Sequence, residues 1–378
     1  MTDARPLGFG RHDATPAAAP VTADGAARLD DRSAAALLPE RPPRGHKGTF
    51  GKLLVIAGSL DYAGAALLVC RGAGRAGAGL VTLAVPESLQ PLFAAKVVEA
   101  TTMALPEDDV EEIDPEPAIA RILDHDHDAI VVGPGLRPGL ATTALVQQLL
   151  AVPEGSSGRG PAGASPRASE FPAMVLDAEA LRCMATLADW WTRTGRSCVL
   201  TPHPGEFSRL RSGAGVDPDA DGDLAGDDAA RVVAARDAAA TWRQVVVLKG
   251  ARTVIAEPDG SAATAPFENP ALASGGTGDV LAGVIGGLLA QGLQPGPAAR
   301  LGVYLHGLAG DLVRERIGDA GLLASDLPDA VPLVRKRLAA IAERNRRGAT
   351  VGFAVRDADG GGEGKTGEGK TGEGGPGG

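Results

Sequence analysis

"NPALASGGTGDVLAGVIGGLLAQGL" occupies residues 269–293. Ser274 to Gly278 form a turn of small residues, and an apolar helix is expected to begin near Asp279. Free N–H groups at a helix start, together with the helix dipole, attract an anion. Glycines let the backbone approach a phosphate closely. Asp279 admits two readings. It is an N-cap residue of a common kind, or it is a general base that takes a proton from an attacking hydroxyl while the nearby N–H groups hold the transferred phosphate.

Working outward, apolar runs alternate with helical patterns. "LLVIAG" (53–58) precedes a helix around Ala65 to Arg71, and "LVTLAV" (80–85) precedes another near Leu89 to Val98. "AIVVGPG" (129–135) leads into "LATTALVQQLLA", while "AMVLDAEAL" (173–181) and "CVLTPHPGEF" (198–207) each pass from strand to turn to helix. "QVVVLKG" (244–250) is followed by "RTVIAEPDG", which reads as a strand and a turn. Short runs buried on both faces and alternating with helices predict a mostly parallel sheet covered on each side, a three-layer α/β/α domain.

The pattern predicts one domain over residues 34–345. Residues 1–33 read as a loosely ordered arm, with a short helix near Ala34 to Leu38. Residues 357–378 are Gly, Glu and Lys repeats that bury nothing and read as disordered. A Gly/Ser/Pro-rich insertion (153–172) and an acidic, turn-rich loop (212–228) interrupt the rhythm. The aspartates of the second have a spacing like that of a calcium loop but lack the closing Glu.

Two other glycine motifs compete for a phosphate. "GKTGEGKT" (Gly364 to Thr371) fits the phosphate-loop pattern, yet no strand precedes it and no helix follows. "GAGRAG" (Gly72 to Gly77) fits a dinucleotide fingerprint in the wrong order, since it ends a helix and leads into a strand. Its glycines are expected to cap that helix and let it pack close to the sheet.

Composition narrows the class. The chain has 378 residues, of which 44% are hydrophobic and 3% aromatic, so its core must be built from Ala, Val, Leu and Ile. A net charge of −10 argues against a general nucleic-acid binder. Cys70, Cys183 and Cys198 are too scattered for a disulfide scaffold and read as small hydrophobes. No signal peptide and no apolar run long enough to span a membrane is seen. A soluble cytoplasmic α/β protein is expected. "DHDHD" (124–128) reads as a polar turn at the start of a strand, and His306 as a satisfied core histidine.

"GGTGDVLAG" resembles the Asp signature of the ribokinase-like superfamily. "HKGTFGKLLVIAGS" (46–59), "GAALL" (64–68), "GAGLVTLAVPE" (77–87), "VVGPGL" (131–136), "VLDAEAL" (175–181), "LTPHPGEFSRL" (200–210), "VVLKGARTVI" (246–255) and "VYLHGLAGD" (303–311) narrow the match. Together they resemble the ADP/ATP-dependent NAD(P)H-hydrate dehydratases, across roughly residues 35–340.

That resemblance implies a ribokinase-like fold and a repair reaction. Hydrated NADH or NADPH (the S-epimer) is phosphorylated on its added hydroxyl from ADP or ATP, and phosphate then leaves to restore the ring. ADP is the expected donor, with Mg2+ as cofactor. By resemblance, Asp279 is the base and Gly276, Thr277 and Gly278 form the anion hole, Gly278 also touching the nucleotide. Lys249, Gly250, Ala251, Arg252 and Thr253 line the adenine-nucleotide site. Ala65, Gly135, His203 and Asp279 meet the hydrate, and Glu206 stands near the phosphates through magnesium. Lys47 lies near phosphate or is a solvated loop lysine. Only about 45 residues precede "HKGTFG", too few for the epimerase domain that many members carry, so a separate epimerase is expected upstream. A homo-oligomer, commonly a tetramer in this family, is implied as well. The alternatives are a superfamily kinase of a vitamin-precursor alcohol and a non-catalytic nucleotide-binding module.

Overall fold

The protein is described from a computed structural model covering residues 25–151, 172–194, 197–216, 224 and 226–358. The expected disordered tail beyond 358, the arm before 25, nearly all of the 153–172 insertion and residues 217–223 and 225 of the acidic loop lie outside the described residues.

The strands are β1 (Ala27–Arg28), β2 (Lys52–Ile56), β3 (Leu80–Pro86), β4 (Thr101–Leu105), β5 (Glu107–Asp109), β6 (Glu112–Ile113), β7 (Ala129–Val132), β8 (Met174–Leu176), β9 (Cys198–Leu200), β10 (Val245–Leu248), β11 (Val254–Ala256) and β12 (Ala262–Thr264). All but β5 and β6 join one ten-stranded sheet in the order β1-β12-β11-β10-β9-β8-β7-β2-β3-β4. Only β11 runs against its neighbours; the other pairings are parallel. β5 and β6 form a separate hairpin.

The helices are α1 (Asp31–Ala36), α2 (Ala63–Ala76), α3 (Gln90–Ala94), α4 (Pro115–Asp124), α5 (Leu140–Ala151), α6 (Glu179–Ala185), α7 (Pro204–Gly213), α8 (Asp228–Trp242), α9 (Thr277–Ala290), α10 (Pro295–Ile317) and α11 (Leu327–Ala358). Alternate side chains of each central strand enter opposite cores. Leu53, Val55, Val131, Val175 and Val247 pack with α2, α9, α10 and α11. Leu54, Ile56, Ile130, Leu176 and Leu248 pack with α4 to α8. The result is the expected three-layer α/β/α fold with a mostly parallel sheet. Among the described residues no helix is long and apolar enough to cross a membrane.

Three segments differ from the sequence reading. Residues 27–33, assigned to the loose arm, belong to the fold. β1 extends the sheet beside β12, and Asp30 caps α1 through the Ser33 N–H at 2.7 Å. Asp31 then accepts from Tyr304 Oη at 2.8 Å and pairs with Arg337 at 2.7 Å. The helix expected over 89–98 is a 3-10 turn (Glu87–Leu89) followed by the five-residue α3. The glycines of "GAGRAG" do end α2, with Gly77 as its left-handed cap at φ 105°, but the close approach is made by Gly72 and is to α9 rather than to the sheet.

In that helix pair, backbone meets backbone. A Cβ at Gly72 would lie 2.6 Å from the Val280 carbonyl oxygen, one at Gly287 2.7 Å from that of Ala73, and one at Gly283 would collide with that of Val69. Such contact fixes α9 closely against α2, and with it the position of its first turn. Gly283→Ala is expected to cost about 1–3 kcal/mol by overpacking. Gly74→Ala, on the open face of α2 with nothing within 4 Å of the new methyl, is expected to be neutral or slightly stabilising. Thermal melts of the two variants check this; equal melting temperatures would refute it.

Candidate active site

Strands β8, β9 and β10 end side by side, and each delivers one charged residue just past its carboxyl end. Asp177 follows β8, Glu206 stands in the first turn of α7 after β9, and Lys249 follows β10. The Lys249 ammonium lies 2.8 Å from Asp177 Oδ1 and 3.8 Å from Glu206 Oε2. Burial alone would lower the Lys249 pKa, but the two carboxylates outweigh it and the group ends above the ordinary lysine value. Lys249 is therefore held charged.

The glycine turn closes over this cluster. Gly276, at φ 88°, is the N-cap of α9, and its hypothetical Cβ would lie 2.7 Å from Leu68 Cδ1. Asp279 is the third residue of the helix. The N-cap reading of Asp279 thus falls, because Gly276 holds that place. The first N–H groups of a helix have no carbonyl partner within it, which applies here to Gly278 and Asp279. A Cβ at residue 278 would stand 3.4 Å from the Lys249 ammonium. Burial first, then the charge of Asp177, raises the Asp279 pKa to about 7, with Lys249 opposing. A carboxylate that is a free base near neutrality, a fixed cation and an anion-binding helix start therefore share one corner.

Beside that corner is a cavity of about 450 Å³ whose walls include Lys249, Ala251, Thr253, Asn269, Thr277 and His306. Gly250 and Gly278 also line it. Arg252 does not; its guanidinium pairs with Glu268 and Asp228 at the surface. The carbonyls of the strand-end turn are gripped from behind by buried Arg231 of α8, which donates to Leu248 O at 3.0 Å, Lys249 O at 3.2 Å and Ala251 O.

Ala65 and Gly135 meet on the other side of Asp177, outside that cavity. Gly135 has φ 67°, and a Cβ there would lie 2.8 Å from the Ala65 Cβ and 2.7 Å from the Tyr62 carbonyl oxygen. The "GPG" turn backs onto Asp177, since a Cβ at Gly133 would collide with the Asp177 carbonyl. His203 is exposed. Its Nδ1 accepts from Gly205 N at 3.1 Å and caps α7, while Glu206 Oε2 accepts from His203 N at 2.9 Å. The ring's Nε2 stands 3.6 Å from Glu206 Oε1.

Lys47 is exposed at the far end of the molecule. The motif that contains it packs Gly51 against Ala290 O at the last turn of α9, about 16 Å from Asp279 by helix rise. The solvated reading of Lys47 fits this placement, and the phosphate reading does not. "DHDHD" forms the polar turn before β7, where Asp126 pairs with Lys52 and Asp128 Oδ2 accepts from Lys52 N at 2.9 Å. His306 is buried and within 2.9 Å of Thr277 O, as a satisfied core histidine should be.

Sequence reasoning gave no role to Asp177, Arg231 or Asn269. Asp177 carried one usable signal, an acid placed directly after a fully apolar strand. The tail motif lies outside the described residues. Truncation after Arg356 is expected to leave nucleotide affinity unchanged, as titration calorimetry with ADP would show; a large loss would revive the tail as a phosphate site.

A family model described as NAD(P)H-hydrate dehydratase matches residues 53–333. The bifunctional NAD(P)H-hydrate repair enzyme of Moorella thermoacetica is 41% identical over 304 residues, covering 80% of this chain and 52% of that protein. The chain thus spans about half the length of the bifunctional relatives it matches. The ADP-dependent (S)-NAD(P)H-hydrate dehydratase of Bacillus subtilis is 37% identical over 302 residues, 80% of this chain and 95% of that one. A crystal structure of the ADP/ATP-dependent NAD(P)H-hydrate dehydratase from Bacillus subtilis, co-crystallised with ATP and Mg2+, superposes with a TM-score of 0.65. It is 33% identical and covers 82% of this chain and 98% of its own. A ribokinase-like superfamily protein of Enterococcus faecalis, at 24% identity and a TM-score of 0.63, shares the fold. On these grounds the chain belongs to the NAD(P)H-hydrate dehydratase family and has its ribokinase-like fold.

Proposed function

We propose that this protein is an ADP-dependent dehydratase of the S-epimer of hydrated NADH and NADPH, able also to use ATP. The observation that carries the reading is the Asp279 carboxylate, raised to about 7 at the head of an anion-binding helix and beside the fixed Lys249 charge. The cavity lined by Lys249 to Ala251 and Thr253 takes the nucleotide, with its terminal phosphate toward Gly278. The hydrate lies on the Ala65–Gly135 side, bringing its ring hydroxyl to Asp279.

Asp279 accepts the hydroxyl proton, and the oxygen attacks the terminal phosphorus of ADP, releasing AMP. The Gly278 and Asp279 N–H groups and Lys249 hold the charge that builds on the phosphoryl oxygens. The phosphate ester then breaks at its carbon–oxygen bond, phosphate departs with the electron pair, and the neighbouring ring carbon loses a proton to restore the double bond. Hydroxide leaves poorly and phosphate well, which is why a nucleotide is consumed.

Mg2+ is ordinarily held by one or two carboxylates together with phosphate oxygens and waters. Glu206 suits that role in kind, as a hard oxygen donor close to Lys249. Among the described residues there is no cluster of three or more metal-ligating side chains. When bound, the ion would shield the phosphate charge. An epimerase acting upstream would supply the S-epimer, and the reaction would run in the cytoplasm.

The test mixes the protein with hydrated NADH, Mg2+ and either ADP or ATP and follows the return of nicotinamide absorbance. Recovery with stoichiometric AMP and phosphate from ADP is expected. No recovery with either nucleotide would sink the proposal, and a phosphorylated product that persists would favour a small-molecule kinase.

A further inference from the structure

Four residues of α10 face the segment that carries the glycine turn. His306, Gly307, Gly310 and Asp311 are spaced to share one side of a helix, and each meets a different part of residues 267–277. His306 Nε2 is 2.9 Å from Thr277 O, the first carbonyl of α9. Asp311 Oδ1 accepts from Asn269 Nδ2 at 3.0 Å, and Asn269 Oδ1 accepts in turn from Ala271 N at 3.0 Å. Between these polar contacts the two glycines allow close approach. A Cβ at Gly307 would collide with the Phe267 ring, and one at Gly310 would lie 2.7 Å from Leu272 Cδ2. The turn is also tied to itself, since Thr277 Oγ1 stands 2.8 Å from Leu272 O and 3.0 Å from Ser274 O.

From this geometry we infer that His306 and Asp311 are positioning residues, clamping the two ends of the segment 269–277 that carries the anion-binding turn, so that the first N–H groups of α9 and Asp279 hold one fixed placement. The inference rests on the proposed role of that turn. Because its partner is a carbonyl, His306 must carry its proton on Nε2. Burial holds the ring neutral, with its pKa down at about 4, so the contact is a single directed hydrogen bond. A leucine would fill the same space without fixing the helix along its axis. Misplacement of reacting groups by about 1 Å costs on the order of a hundredfold in rate, so the clamp should be read in turnover before substrate affinity.

Four variants test it: His306→Leu, His306→Gln, Asp311→Ala and Asp311→Asn. The measurements are kcat and KM for the hydrate, and hydrogen exchange at the backbone amides of 276–279. His306→Leu and Asp311→Ala are expected to lower kcat about ten- to a hundredfold, with KM changed less than about threefold and faster exchange in the turn. His306→Gln and Asp311→Asn, which preserve a donor and an acceptor, are expected to recover most of the loss. Wild-type kcat and exchange in His306→Leu and Asp311→Ala would overturn the inference, as would Gln and Asn variants no better than Leu and Ala. Asp311 is only partly buried, so its pair of variants decides the matter if His306→Leu does not fold. Exchange needs no turnover: a wild-type protein that failed to dehydrate the hydrate would refute the proposed activity, while exchange would still test the clamp.

Discussion

Asp279→Asn is expected to lower kcat by about 10²–10⁴-fold, the range ordinarily supplied by a general base, while nucleotide affinity changes little. The same variant should be more stable than the wild type above neutral pH. The Asp279 carboxyl is raised from 3.8 to about 7 in the folded protein, so folding favours its protonated form. That contribution is complete below the unfolded value and fades as pH rises through about 7, where an ionised carboxylate is left in a desolvated corner beside Asp177. Asparagine removes that charge. Melting curves at pH 5 and pH 8 should show the variant's advantage larger at pH 8. In the wild type, kcat/KM should fall about tenfold per pH unit below about 7, since the base must be free. A variant with near-normal turnover, or a wild-type rate flat from pH 5 to 8, would exclude Asp279 as the base.

Much of the architecture is legible because its signals are local. "LLVIAG", "AIVV" and "QVVVL" are buried on both faces by composition alone, and β2, β7 and β10 lie where those runs stand. "SGGTGDV" shows both the turn and the helix it opens. The charge arrangement at the site is not local. Asp177 and Lys249 are 72 residues apart, and nothing in "VLDAEAL" names its partner until β8, β9 and β10 are laid side by side. The "GAGRAG" glycines show how a correct local reading misses its target. Their helix-ending role follows from chain order, but whether the freed space receives a sheet or a helix depends on where α9 passes. "HKGTFG" belongs with the site motifs in sequence yet packs at the opposite end of α9, where its Gly51 serves close approach.

Lys249→Met separates the two duties of the lysine. Asp177 is almost wholly buried, with 2% of its side chain exposed, and Glu206 has 11%. Removing one member of a buried ion pair leaves the other charge uncompensated, at a cost of about 3–5 kcal/mol. A drop in melting temperature on the order of 10 °C is therefore expected. Activity should fall at least a hundredfold, because a fixed cation near the transferred phosphate is lost. Losing the ammonium also removes the one charge that lowers the Asp279 pKa, so the acid limb of any residual activity should move to higher pH. The double variant Asp177→Asn, Lys249→Met removes both buried charges. It should regain more than half of the lost stability and bring the limb back down, because Asp177 also raises Asp279. It should not regain the rate. Stability recovered without activity would show that Asp177 holds the lysine while the lysine serves the phosphate. A double variant as unstable as Lys249→Met would deny the pairing its part in the fold, and full activity in Lys249→Met would deny the lysine its part in the reaction.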